Sequence, residues 1–77
     1  MNEPRFEIGT KFKRYSRKHA KVETIVDIIR LINSKGELVG VHYVTEQEVL
    51  GQTVVDNNVG DSVIARSLLA QGEKLPE

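Results

Sequence analysis

The chain has 77 residues, no cysteine and a formal net charge of zero. A chain this short makes one domain with a thin stability margin, because it buries only about 60% of the surface it exposes when unfolded. Its composition excludes disulfides and thiolate metal sites. Its apolar residues come in short runs such as Ile28-Ile29, far from the roughly 20 residues a membrane-spanning helix requires.

The lack of disulfide staples points to a reducing, cytoplasmic setting. No secretory leader is expected, since Phe6 and Ile8 stand isolated among charges. The charge is unevenly spread. Residues 1–21 hold seven cations (Arg5, Lys11, Lys13, Arg14, Arg17, Lys18 and Lys21) against Glu3 and Glu7, whereas residues 22–77 hold four cations against nine acids. Such asymmetry marks either a contact surface for an anion or two halves of one molecule that attract each other.

In chain order, residues 1–5 read as a loose start, with Pro4 disfavouring helix at Glu3. Phe6 to Tyr15 reads as a strand, because Ile8, Thr10 and Phe12 alternate with Lys11 and Lys13. Arg14 to Lys21 then reads as a polar, basic loop. Residues 22–32 fit two periods. Val22, Ile25, Val26, Ile29 and Ile32 fall on one helical face, while Val22, Thr24, Val26, Ile28 and Ile32 fit one strand face. Residue type decides for strand, since seven of these eleven residues are β-branched.

Asn33-Ser34-Lys35-Gly36 is a turn cluster, and Val39, Val41 and Tyr43 beyond it alternate with Gly40 and His42. The two runs therefore make a hairpin. Gly40 inside a strand signals a bulge or a close approach. Gln47 to Leu50 is ambiguous and Gly51 breaks it. Thr53-Val54-Val55 reads as a further strand ended by Asp56-Asn57-Asn58. Residues 61–71 read as a short helix, with Asp61 or Ser62 as N-cap, Gly72 as stop, and Val63, Ile64, Ser67 and Leu68 on one face. A last barrel strand is the rival reading of that segment, and 73–77 reads as a frayed tail.

No constellation for catalysis emerges. His19 lies among cations that oppose a metal, His42 lies within a strand, and neither belongs to an HxxxH or HExxH pattern. Ser16 and His19 lack an elbow or oxyanion donor. Glu46/Glu48 and Asp56/Asp61 read as solvated acids. Asp27 interrupts an apolar strand and must face solvent or find a cation or a backbone donor. The glycines form neither GxGxxG nor a P-loop. The remaining candidate for binding is the basic segment, with Lys11, Lys13, Arg14, Tyr15, Arg17, Lys18, His19 and Lys21 as contact residues. Its cations would meet phosphates and an exposed Tyr15 would stack on a base. A solvated loop, or one that grips an acidic protein, is the complementary reading. Phe12 within it reads as core.

Six stretches taken together carry a resemblance: Ile8-Gly9-Thr10-Lys11, Thr24-Ile25-Val26-Asp27-Ile28, Asn33-Ser34-Lys35-Gly36-Glu37-Leu38-Val39, Tyr43-Val44, Leu50-Gly51-Gln52-Thr53-Val54 and Val63-Ile64-Ala65-Arg66. The pattern, over about residues 8–68, resembles small uncharacterised proteins of tailed phages and prophages. The resemblance implies an origin and a bacterial host's cytoplasm, and it assigns no activity, ligand or site.

The sequence thus leads to a single domain over 1–77 with loose ends at about 1–5 and 73–77. The fold expected is mainly β: a small SH3-like barrel or a curled antiparallel sheet with a short C-terminal helix or helical turn. An α+β open sheet with one packed helix is the alternative. The function expected is a non-catalytic phage- or prophage-type accessory protein without cofactor or metal, a protein-interaction module for an unidentified protein partner. A homodimer through an edge strand is one version of it. The alternative is a small nucleic-acid-binding domain using segment 11–21.

Overall fold

The computed structural model describes residues 4–16 and 20–73. Strands β1 (Lys11–Lys13), β2 (Val22–Ile32), β3 (Leu38–Val49) and β4 (Gln52–Gly60) precede helix α1 (Asp61–Ala70). The strands form one antiparallel sheet in chain order, and among the described residues β1 and β4 do not pair. The sheet is therefore open, with one helix on one of its faces; of the two β forms expected, it takes the curled sheet and not the closed barrel.

Local chemistry explains the two long hairpins. In the β2–β3 connection the Asn33 carboxamide oxygen accepts from the N–H groups of Lys35 and Glu37, both at 2.9 Å, and the Asn33 carbonyl accepts from Gly36 N–H at 3.0 Å. Gly36 takes φ +79°, as the expected turn requires. Between β3 and β4 the turn is only Leu50-Gly51, both with positive φ (+52° and +79°), which is the type I′ geometry that matches strand twist. The segment Gln47 to Leu50, ambiguous in sequence, resolves as the end of β3 followed by this turn.

Both strands flanking β3 bulge at the same level. Ile25 pairs with Thr45 and Asp27 with Val44, so Val26 is the extra residue of β2. On the other side Tyr43 pairs with Val59 and Thr45 with Asp56, so β4 also carries an extra residue opposite Val44. Bulges bend a strand and increase its twist, and here they curl the sheet around the helix. They also correct two expectations. The buried face of β2 begins with Glu23 and Ile25, not with Val22 and Thr24; only past the bulge does the even-numbered Ile28 turn inward. Asp56-Asn57-Asn58 does not end the strand, because Asn58 N–H donates to Asp56 Oδ1 (3.0 Å) within the bulge and β4 continues to Gly60.

Phe6, Phe12, Ile25, Tyr43, Val59, Ile64, Ala65 and Leu68 form the core between sheet and helix. β1 is shorter than the expected strand. Thr10 accepts Ile25 N–H through its carbonyl, but Gly9 turns the chain at φ +98°, which leaves Ile8 exposed and brings Phe6 inward in its place. Arg5 is not loose. Its side chain pairs with Asp61, and the Tyr43 hydroxyl accepts from the N–H groups of Arg5 (3.0 Å) and Phe6 (3.3 Å). The Phe6 and Tyr43 rings meet edge to face at 5.9 Å.

The helix follows β4 without a loop. Its N-cap is Gly60, with extended φ and ψ and no side-chain cap, so neither Asp61 nor Ser62 fills that position; Asp61 sits in the first turn, where an acid complements the helix dipole. At the other end Gly72 (φ +80°) stops the helix as expected. Its N–H donates to the Leu69 carbonyl and the Glu73 N–H to that of Leu68, the pairing of a Schellman motif.

Candidate binding surface

The basic segment does not converge on one surface. Arg17, Lys18 and His19 lie outside the described residues. Phe12 is buried, and the pleat sends its neighbours Lys11 and Lys13 to the opposite face of the sheet. Lys11 donates from Nζ to Oγ1 of its cross-strand partner Thr24 at 2.9 Å. Lys21 borders the same outer face. Tyr15 is exposed on the helix side, where the Arg66 guanidinium lies 5.4 Å from its ring centroid and donates to its hydroxyl at 3.1 Å. One face of the ring expected to stack on a base is therefore occupied by a cation of the chain itself.

Arg14 goes inward. Nε donates to Glu23 Oε2 at 2.7 Å, and Nη2 donates to Glu23 Oε1 at 3.1 Å and to Asp56 Oδ2 at 2.7 Å. Glu23 is 1% exposed, and its Oε1 also accepts the Thr45 hydroxyl at 2.8 Å. This network ties the residue after β1 to β2, β3 and β4 at once. Burial lowers the Arg14 pKa, but hydrogen bonds to Glu23 and Asp56 outweigh it and hold the group above its ordinary value. Arg5 is likewise raised, chiefly by its hydrogen bond to Asp61. Sequence reasoning missed Glu23 as Arg14's partner; the signal was an acid in phase with Ile25 on a strand.

Two surfaces remain. One is the outer face of the sheet, which carries no helix among the described residues. Across it run two rows. Lys11, Thr24 and Glu46 are cross-strand partners on β1, β2 and β3, and Lys13, Val22 and Glu48 follow one pleat further along. An open groove of about 560 Å³ lies here, lined by Lys11, Lys21, Val22, Thr24, Glu46 and Glu48 among others. The other is the far end of the β2–β3 hairpin. β1 pairs with β2 only over Val22–Thr24, and β4 reaches along β3 only to His42. Beyond these limits the hairpin is a two-stranded arm, Arg30 to Ile32 on β2 and Leu38 to Val41 on β3, roughly 10–13 Å long. Leu31, Ile32 and Val39 on it are 40–56% exposed. Leu31 lies over Gly40, where an added Cβ would meet its Cδ1 at 3.2 Å, so the close approach expected at Gly40 is present. Asp27, at the base of the arm, accepts the N–H of Ile28 at 2.8 Å, a backbone donor as its position in an apolar strand demands.

Among the described residues no group of three or more His, Cys, Asp or Glu side chains could hold a metal ion, and no helix is long and apolar enough to cross a membrane. No protein-family model, curated protein or solved structure matches the chain.

Proposed function

We propose that the chain is a non-catalytic protein-interaction module whose contact element is the β2–β3 arm. The observation that carries this is exposed apolar side chains on a ribbon that no third strand joins among the described residues. A two-stranded ribbon has little stability of its own in water, yet this one exposes Leu31, Ile32 and Val39 beyond the helix-covered core. Apolar groups grouped on a projecting element are the signature of a contact surface. The arm's edges offer backbone groups over Arg30–Ile32 and Leu38–Val41 that a partner's extended, apolar segment can extend by strand addition. The resemblance to small phage and prophage proteins is the basis for placing such a module among accessory proteins in a bacterial host's cytoplasm, and that placement is part of the proposal.

The nucleic-acid reading rests on Lys11, Lys13 and Lys21. It is weakened by Glu46 and Glu48 beside them and by the engagement of Arg14 with carboxylates. One experiment separates the two: affinity capture from bacterial lysate, with and without nuclease, by the native chain and by an Ile32→Lys/Val39→Lys variant. Both substituted side chains are exposed, so the fold is retained. Proteins captured by the native chain, retained after nuclease and lost with the arm variant are the expected result. Capture that vanishes with nuclease, or that the arm variant leaves unchanged, refutes the reading.

A further inference from the structure

We infer that the outer face of the sheet is a dimer interface for a second copy of this chain, packed face to face about a two-fold axis along β2. This concerns a different surface from the arm and stands independently of the role proposed for it. The argument is the order of charge across the two rows. Each row reads cation, neutral residue, acid across β1, β2 and β3: Lys11, Thr24, Glu46 and then Lys13, Val22, Glu48. A two-fold axis along the middle strand exchanges left and right while turning one face onto the other, and it preserves position along the strand. It therefore sets Lys11 of one copy over Glu46 of the other, and Lys13 over Glu48, twice each by symmetry.

No other simple face-to-face arrangement satisfies both rows. An axis perpendicular to the strands within the sheet plane keeps β1 over β1 and sets lysines against lysines. Along the preferred axis the middle column is neutral from Val22 to Val26, with Val22 46% exposed and Val26 half-buried and no element among the described residues over either, and the exposed Asp27 bounds it. Val44 flanks this seam, half-buried opposite the double bulge. A neutral and apolar seam with charged rims is the anatomy of a specific interface, and aligned sheets pack in this way at about 10 Å separation. The rim groups are available for it. Among the described residues, Lys11 bonds only Thr24, Glu48 accepts only the Thr53 hydroxyl, and Lys13 and Glu46 make no ion pair.

The test is sedimentation equilibrium of the full chain, supplemented by charge reversal. The native protein is expected at twice the mass of one chain, with a dissociation constant that rises as salt is added. A Lys11→Glu/Lys13→Glu variant and a Glu46→Lys/Glu48→Lys variant turn four attractive rim contacts into repulsive ones. Each is expected to weaken self-association on the order of 100-fold, from modest exposed pairs acting together. Each has one charge sign on both rims, so an equimolar mixture of the two restores attraction at all four contacts. That mixture is expected to form a 1:1 heterodimer of near-native affinity. Circular dichroism checks the fold of both variants, and the salt titration of the native chain needs no variant. A native protein that is monomeric at high micromolar concentration overturns the inference. So does a dimer that survives both reversals, which would point to pairing through an edge strand, and so does a mixture that fails to reassociate.

Discussion

Replacing Arg14 by alanine tests whether this cation is structural or a ligand contact. Arg14 gives Glu23 two hydrogen bonds, and Glu23 is 1% exposed. The variant leaves a buried carboxylate with the Thr45 hydroxyl as its remaining side-chain partner. Removing one member of a buried ion pair costs about 3–5 kcal/mol, since the other charge stays desolvated. A domain of this length has roughly 4–12 kcal/mol in total, at about 0.05–0.15 kcal/mol per residue. Arg14→Ala is therefore expected to bring the chain close to half-unfolded at the lower end of that range. Asp56→Asn is milder, about 0.5–1 kcal/mol, because that carboxylate is more than a third exposed. The double variant Arg14→Leu/Glu23→Leu removes both charges and recovers most of the loss. Urea unfolding followed by far-ultraviolet circular dichroism measures all three. The arginine titrates above its ordinary value when folded, so its stabilisation is complete below the unfolded-state pKa and disappears only in strongly alkaline solution. Across the neutral range it is constant. If Arg14→Ala lies within about 1 kcal/mol of the native chain, the reasoning about the network is refuted and a surface role for Arg14 returns.

Two further substitutions probe the turn and the core. Leu50 is 98% exposed and held at φ +52°, a region that costs a side chain with a Cβ about 1–2 kcal/mol. Leu50→Asn, which suits the first central position of this turn, is expected to raise the melting temperature by about 4–8 °C, and an unchanged melt counts against the strain. Tyr43→Phe deletes the hydroxyl that accepts from Arg5 and Phe6 N–H, at an expected cost of about 1–2 kcal/mol. Hydrogen exchange at the Phe6 amide should quicken well before that of the sheet, and equal protection in both proteins would mean that the hydroxyl does not hold this segment.

The β2–β3 hairpin, the C-terminal helix and its Gly72 stop were legible because each rests on local chemistry: β-branched runs about an Asn-to-Gly turn, and a glycine free to take positive φ. What stayed hidden depends on partners far along the chain. The inward face of β2 could not be read with one period, because Val26 is an added residue that changes the phase midway. The turn at Leu50-Gly51 lacks the Asn that usually announces such a bend. Arg14 looked like one of a series of cations because its partners lie 9 and 42 residues away. Lys11 and Lys13 were grouped with it by sequence, and the pleat parts them from it in space. Ser67 and Gln71 also gave no sign of their use. Their side-chain oxygens accept the N–H groups of Tyr15 (3.2 Å) and Lys13 (2.6 Å), which shields the outer edge of β1 from further strand pairing.

The direct passage from β4 into α1 bears on the order in which the molecule assembles. β2, β3 and β4 join through short turns, so pairing β2 with β3 and then β3 with β4 closes only short loops, the kind of topology that forms fast. The interior is different: Ile64, Ala65 and Leu68 all come from the helix. A nascent chain can zip its strands as they leave the ribosome, yet Phe12 and Tyr43 stay wet until residues 61–70 have emerged and folded down. The window in which a chaperone or protease can seize this polypeptide opens with the second hairpin and shuts only when those ten residues dock.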